Sequence, residues 1–216
     1  MIRRDATDPD DGSPRWILIP QVEHARLAAR LVEAWDGRSI AEHPARAEVL
    51  AAIAHHDDGW ERWERSPKVD RDSGRPIAFD EMPLGESLAI WRSSIDGCRA
   101  LGNLAPWMVA GHFHARLLDS SKAHTAEADA WWQEIEPQQA RWLEAWLAQS
   151  PARHDQAAAE VALAYLQAFD AVSLWFCCAE RSEPHRWTAP GDLTLSMIPT
   201  QPDQVIVEPW PLRTDT

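Results

Sequence analysis

The most informative residues of this 216-residue chain are the adjacent pair His56 and Asp57, at the end of a predicted helix. An imidazole and a carboxylate are costly to bury without partners, but both bind divalent metal ions readily. His24 on an earlier predicted helix and Asp170 in the middle of a later one add two ligands of the same kinds. The pattern therefore predicts a metal site assembled from separate helices.

Asp170 lies in the most apolar predicted helix, where a buried carboxylate requires a partner. Gln167 and Ser173, three residues to either side, share its helical face and are predicted to orient it. His112 is a fifth candidate ligand, and Arg116 follows one helical turn later, where it could hold an anionic group. An exposed histidine and arginine in mid-helix would explain that second pair equally well.

Other histidines and the cysteines are assigned lesser roles. His55 would support the site from outside, or would replace His56 if the helix were rotated. Cys177 and Cys178 fall near the side of the helix that carries Asp170, where thiolate ligation is conceivable but two buried structural cysteines are favoured. Five histidines are expected on the surface: His43, His114, His124, His154 and His185.

The amino-acid composition limits the partners and the cellular compartment that are expected for this protein. The 34 acidic and 21 basic residues give a formal charge of −13, so duplex nucleic acid and anionic membranes are not expected to bind. Three cysteines without a CxxC motif favour a reduced, cytoplasmic protein. No apolar run approaches the ~18 residues of a membrane helix, and no signal peptide fits the N-terminus. The 13 tryptophans are expected mainly in the core, with a Trp-rich pocket as the alternative.

The elements that must position the site are predicted to form one domain, residues 1–216, with a helical core at 21–180. Terminal strands in 1–20 and 185–216 are expected to pair into a small sheet beside it. Helical periodicity predicts helices at 21–35, 44–57, 84–98, 106–118, 125–149 (interrupted or kinked at Pro137) and 156–178. Strands are predicted at 1–4, 15–19, 193–197 and 204–207. Gly59 is predicted to end the second helix in the left-handed conformation, and 61–83 to form a long functional loop.

The order of His24, His56-Asp57 and Asp170 resembles the metal signature of the HD-domain superfamily, an all-α metal-binding fold best known for phosphohydrolases. The whole chain more closely resembles an uncharacterised bacterial family of HD-like proteins. The matching segments are Ile19–Gln21 with His24, His56–Trp60, Pro76–Phe79, His112, Asp170 with Ser173-Leu174, and Pro209–Pro211. HD enzymes with two metals supply two further histidines, whereas only His112 is suitable here. The resemblance therefore favours one ion, or one tightly and one weakly bound ion.

The resemblance implies a mainly α, HD-like bundle with a small sheet, which binds a divalent ion (Fe, Mn, Ni, Co or Zn). The implied ligands are His24, His56, Asp57, His112 and Asp170. The expected function is hydrolysis of a small phosphorylated metabolite or nucleotide. Asp57 or Asp58 would handle the proton, and Arg116, Arg62 or Lys68 would neutralise the substrate.

Two other functions fit the same residues. The first is an iron-dependent oxygenase with two irons, as in some HD proteins, for which a Trp-rich lining would suit an apolar substrate. The second is a non-catalytic domain that a metal stabilises. The sequence leaves the oligomeric state open, and a homodimer is one possibility.

Overall fold

The structure, a computed structural model, describes residues 1–178, 183–201 and 204–213. In these residues the helices are α1 (Gln21–Ala34), α2 (Arg38–Ala41), α3 (Arg46–His55), α4 (Glu61–Glu64), α5 (Leu84–Cys98), α6 (Leu104–Leu118), α7 (Ala126–Gln149) and α8 (Gln156–Cys178). The strands are β1 (Ile2–Thr7), β2 (Pro14–Ile19), β3 (His185–Thr188), β4 (Thr194–Gln201) and β5 (Gln204–Glu208). The prediction of a mainly helical protein with a small β part is confirmed.

The central helix is α8, which contacts α1, α3, α6 and the strand β1. Its buried apolar face includes Tyr165, Leu166 and Phe169. By length and composition α8 could also cross a membrane. The core helix of a soluble protein meets the same criteria, and Asp170 is buried in the middle of α8 against polar partners. In this structure α8 is packed as a core helix.

The longer helices follow the predicted periodicity. In α1 the buried residues Ala25, Ala28 and Val32 recur at spacings of three and four, which turns one face toward the core. α7 continues through Pro137, so of the two predicted alternatives the interruption is absent. The four-residue helices α2 and α4 were not predicted, because one turn is too short to show a period.

The terminal strands form two separate sheets, so the prediction that they pair into one sheet is wrong. β1 and β2 form an antiparallel hairpin with Ile2 opposite Ile19. β3, β4 and β5 form an antiparallel sheet in that order. Alternating residues indicate that a segment is a strand, but they do not specify its partner. Here each strand pairs with a neighbour in the sequence, which short turns make possible.

The turn after α3 differs from the prediction. Gly59 lies in a 3₁₀ turn, Asp58–Trp60, and is not among the residues with positive φ, so the predicted left-handed conformation is wrong. Its N–H donates to Ser94 Oγ over 3.0 Å. A Cβ atom at Gly59 would lie 2.7 Å from that oxygen and would also meet the carbonyl oxygen of Ile90. Close packing on α5 is therefore what requires glycine here.

The long loop after α3 is more ordered than predicted. It contains α4, a 3₁₀ turn at Phe79–Glu81 and an isolated bridge between Val69 and Pro76. Trp60 and Met82 are buried against α5, with Phe79 packed beside them. This small apolar cluster holds both ends of the loop together next to the candidate site.

The histidines and cysteines set aside as surface or structural residues are only partly as predicted. His43 is buried, and its ring donates to the carbonyl of Ala158 and accepts from the N–H of Ala45, so its predicted surface position is wrong. Cys178 is exposed, whereas both adjacent cysteines were predicted to be buried. Half-buried His114 and His154 stack on tryptophans, and His124 and His185 are exposed.

Candidate metal centre

The five predicted ligand side chains meet at one point inside the helical bundle. His24 comes from α1, His56 and Asp57 directly follow α3, His112 comes from α6 and Asp170 from α8. Packing between α1 and α3, α1 and α8, α3 and α6, and α6 and α8 closes a ring of elements around them. Each of the five residues is at most 5% exposed.

The distances within the cluster suit a single ion. His24 Nε2 lies 2.8 Å from Asp57 Oδ2 and 3.8 Å from Asp170 Oδ1. His56 Nε2 lies 3.2 Å from Asp170 Oδ1 and 3.7 Å from Asp57 Oδ2. His112 Nε2 lies 3.9 Å from Asp170 Oδ2. Ligands about 2.0–2.2 Å from one ion are about 3–4.4 Å apart. Four of these five distances fall in that range, and the 2.8 Å between His24 and Asp57 lies just below it.

Partners on the far side of two imidazole rings fix which nitrogen faces the cluster. The hydroxyl of Ser173 donates to the carbonyl of Asp170, so its oxygen accepts from Nδ1–H of His24, 2.9 Å away. His56 Nδ1–H donates to the carbonyl of Ile53 over 2.8 Å. Both rings therefore point Nε2 at the carboxylates. Such outer hydrogen bonds are typical of metal-binding histidines, because they set the tautomer and the ring orientation.

This arrangement requires a cation. In a neutral imidazole whose Nδ1 carries the hydrogen, Nε2 is an acceptor, and here it faces carboxylate oxygens that are acceptors too. Two acceptors repel each other, so either protons on the imidazoles or a metal ion must lie between Nε2 and the carboxylate oxygens. A divalent ion would also balance the two negative charges of Asp57 and Asp170, which are expensive to bury without compensation. The residues therefore fit a divalent metal.

The cluster contains two overlapping groups of candidate ligands. The groups with ligand spacing are His24, His56 and Asp57, and His56, His112 and Asp170, with ligand atoms within 4.8 Å in each group. They share His56, whose Nδ1 is already bound to Ile53. The single lone pair on Nε2 binds one ion. His56 can therefore bind only one ion, which favours a single metal at this cluster.

Electrostatics inside the cluster shift three pKa values strongly. Burial opposes the charge on His56, but Asp57 and Asp170 outweigh it and raise the pKa of His56 to about 9. Burial also opposes ionisation of Asp170, but His112, His56 and His24 hold the pKa of its carboxyl well below the ordinary value. For His112 burial dominates and lowers its pKa to about 4. Asp57, whose pKa His56 and His24 also lower against the effect of burial, and Asp170 thus carry the negative charges, His56 carries a positive one, and His112 is neutral.

His112 differs from the other two histidines in its surroundings. Its Nδ1 is buried and has no hydrogen-bond partner among the described residues. A metal-binding histidine usually donates this second N–H to an oxygen, as His24 and His56 do. His112 is therefore the least firmly oriented of the three rings.

A small cavity lies directly beside the cluster. Its volume is about 50 Å³, which suffices for a few water molecules. Four of the candidate ligands line it, namely His24, Asp57, His112 and Asp170, together with Arg116, which is exposed on α6. Aromatic and apolar side chains form the remaining wall: Trp60, Phe79, Trp91, Phe113 and Leu174.

Gln21 is a polar residue of this cavity to which the sequence analysis gave no role. It is 3% exposed, and its Oε1 is buried without a hydrogen-bond partner among the described residues. A buried unpaired acceptor is costly, which points to a donor in the cavity. A signal was available in the sequence, since Gln21 precedes His24 by three residues and shares its buried face.

Several other predicted site residues lie outside the cluster. The carboxylate of Asp58 faces His55 over 2.7 Å, and both side chains are partly exposed. Lys68 pairs with Glu86 over 2.6 Å. Arg62 lines a separate surface recess on the other side of Gly59. In the described part of the chain neither Cys177 nor Cys178 belongs to a group with ligand spacing.

Comparison with known proteins gives one match. The model of a family described as a protein of unknown function, DUF3891, covers residues 1–216. No curated protein and no solved structure matches the chain. Because the family model spans the entire sequence, the chain belongs to the DUF3891 family of proteins of unknown function.

Proposed function

We propose that this protein is an HD-like, metal-dependent hydrolase of a small phosphorylated molecule. One divalent ion would be held by His24, His56, Asp57 and Asp170, with His112 as a further ligand. The observation that carries the proposal is the orientation of His24 and His56. Each is anchored through Nδ1 and directs Nε2 at a buried carboxylate.

The residues that line the cavity beside the metal centre have side chains suited to the hydrolysis of a phosphoester. A divalent ion at such a site lowers the pKa of water and polarises a phosphoryl oxygen. Asp57 lines the cavity, and Oδ2 is the oxygen that faces His24 and His56, which leaves Oδ1 to take a proton from water. The carboxylate of Asp58 faces away toward His55, so Asp57 is the favoured proton acceptor.

Arg116 and Gln21 would act on the substrate and the water. Arg116, four residues after His112 on α6, lines the same cavity, and its guanidinium can bind phosphoryl oxygens in bidentate fashion. The unpaired Oε1 of Gln21 can accept a hydrogen bond from the attacking water. A cavity of about 50 Å³ has no room for a whole nucleotide. The rest of the substrate would therefore lie outside, against the aromatic rim, or displace part of it.

A second candidate is a non-catalytic domain stabilised by its metal. The observation in its favour is the depth of the site, since none of the five ligand residues is more than 5% exposed. Structural metal sites are closed, whereas catalytic sites keep a position for water or substrate. The cavity and the unpaired Gln21 favour the catalytic proposal over this one.

The test begins with metal content. Purified protein, freed of metal and reloaded with Mn²⁺, Fe²⁺, Co²⁺, Ni²⁺, Zn²⁺ or Mg²⁺, is assayed by elemental analysis and then against phosphomonoesters, phosphodiesters and nucleotides. We expect one tightly bound ion per chain and turnover of at least one class of phosphoester. Bound metal without turnover in any loaded form would contradict the hydrolase and support the structural candidate. Two irons per chain would instead support the oxygenase.

A further inference from the structure

A second cavity lies on a different side of α8 from the metal centre. Phe169, Val172 and Phe176 face this second cavity, whereas Asp170 and Leu174 face the first. The remaining wall comes from α1, the C-terminal sheet and the segment that follows it. Its volume is about 300 Å³, six times that of the cavity at the metal centre.

The wall of the second cavity is apolar. Among the described residues no charged side chain lines it, and the indole N–H groups of its tryptophans are its polar side-chain atoms. Trp35, Phe169 and Trp187 meet edge to face, with ring centroids 5.2–5.7 Å apart. Aromatic rings favour such edge contacts with one another, so the three rings form a surface suited to a further ring.

The second cavity is held in place by backbone contacts between the C-terminal segment and the end of α1. The N–H of Asp36 donates to the carbonyl of Pro211 over 3.0 Å, and the N–H of Arg213 donates to the carbonyl of Ala34 over 2.9 Å. Trp210 lines the cavity and is 61% exposed. The cavity is therefore preformed, and the indole of Trp210 at its edge is exposed to solvent.

We propose that the second cavity binds an uncharged aromatic small molecule. Binding pockets of proteins begin at about 300 Å³ and are mostly apolar and aromatic. An apolar cavity of about 150 Å³ holds benzene, so this volume suits a fused or linked pair of rings. A charged ligand would lose its hydration without gaining a partner, and the net charge of −13 further opposes anions. This inference is independent of the metal centre and of the proposed hydrolase.

Binding is tested with N-phenyl-1-naphthylamine, an uncharged probe whose fluorescence rises in apolar surroundings. We expect saturable binding at one probe per chain. In competition, 2-naphthol should displace the probe at least tenfold more effectively than 2-naphthoate, which carries the same rings and a negative charge. Addition of Zn²⁺ should leave the affinity for the probe unchanged, because none of the five candidate metal ligands lines the second cavity.

Two variants of strand β5 locate the bound probe. Val207 lines the cavity, whereas the adjacent Ile206 is 48% exposed and is not part of the wall. Val207→Trp fills the cavity and should weaken probe binding at least tenfold. The matched Ile206→Trp should leave it unchanged. Circular dichroism checks that both variants fold, and Val205→Phe, at another wall position, replaces Val207→Trp if that variant does not.

Three results would overturn the proposal. One is the absence of saturable probe binding to the unmodified protein. Another is equal displacement by 2-naphthol and 2-naphthoate, which would indicate a ligand site of different chemistry. The third is equal weakening in Val207→Trp and Ile206→Trp, which would place the probe elsewhere on the surface.

Discussion

His56 Nε2 and Asp170 Oδ1 lie 3.2 Å apart although 114 residues separate them in the chain. Each residue also makes a second hydrogen bond near its own position in the chain. His56 donates to the carbonyl of Ile53, and the carbonyl of Asp170 accepts from the hydroxyl of Ser173. The end of α3 and the middle of α8 are therefore joined by one buried polar network. In such networks the loss of one member leaves the others unsatisfied.

The first prediction compares two neighbouring histidines. His56→Ala removes a ligand and leaves Asp170 without its closest partner, so we expect loss of bound metal and destabilisation by about 3 kcal/mol or more. His55→Ala, at a side chain 48% exposed, should keep both metal and stability. Elemental analysis and thermal unfolding measure the two effects. Equal metal content in both variants would exclude His56 as a ligand.

The second prediction concerns the residue that orients His24. Ser173→Ala removes the acceptor for Nδ1–H of His24 without touching a ligand atom. Loss of such an outer partner typically weakens metal binding about 10–100-fold, and we expect an effect in that range. Ser121→Ala, at an exposed position, is the control. Titration of the metal-free proteins with metal measures the affinity of each variant. Unchanged affinity in Ser173→Ala would mean that His24 keeps its orientation without this hydrogen bond.

Much of the cluster was predictable from the sequence because ligand type and helical position are local properties. His24, His56, Asp57 and Asp170 were selected for their chemistry and order, and the structure brings them together with His112. Ser173 was expected to orient Asp170, since it lies on the same helical face. In the structure its hydroxyl instead orients His24 from α1, a contact between helices that no single-helix pattern contains.

The features that the sequence did not predict depend on contacts between distant segments. The position of Asp58 next to Asp57 suggested a shared role, but the 3₁₀ turn directs Asp58 outward to His55. The conformation of that turn is set by packing of Gly59 against α5. Pairing within each terminal sheet, the buried position of His43 and the apolar cavity on the other side of α8 are likewise products of packing.

The third prediction is a pH dependence of metal binding. In the metal-free protein Asp57 and Asp170 outweigh the effect of burial and raise the pKa of His56 to about 9, above the ordinary value of 6.5. A metal ion must displace this proton, so metal affinity should rise by about tenfold per pH unit between pH 7 and 9. Calorimetry in buffers of different ionisation enthalpy should show about one proton released per ion at pH 7. No proton release would contradict the assignment.

The raised pKa of His56 also predicts how the stability of the metal-free protein depends on pH. A group whose folded pKa is raised stabilises the fold fully below its unfolded pKa, and this contribution is lost as the pH rises through the folded pKa. The stabilisation by protonated His56 is thus complete below pH 6.5 and disappears through pH 9. The melting temperature should fall over that range in the metal-free protein. The metal-loaded protein should lack this fall, because its His56 carries no proton on Nε2.

The fourth prediction concerns Arg116. Its side chain lines the small cavity but is exposed, so Arg116→Ala should not change the melting temperature. It should weaken binding of inorganic phosphate to the metal-loaded protein about tenfold or more, since a charged hydrogen bond of about 1.5–3 kcal/mol is lost. Arg116→Lys should restore part of the affinity but not the bidentate geometry. Arg153→Ala, at an exposed position away from the cavity, serves as the control, and equal phosphate affinity in both alanine variants would remove Arg116 from the site.

The fifth prediction concerns Gln21, whose buried Oε1 has no partner among the described residues. If this atom accepts a hydrogen bond from the attacking water, Gln21→Leu should lower kcat about tenfold or more while KM and metal content stay unchanged. Gln21→Glu keeps an acceptor oxygen at nearly the same place and should retain more of kcat than the leucine variant. Steady-state kinetics on the phosphoester found in the metal screen, with elemental analysis of each variant, measure both quantities. A rise in KM with constant kcat would instead show that Gln21 contacts the substrate, and a loss of metal would place its role in assembling the ligand cluster.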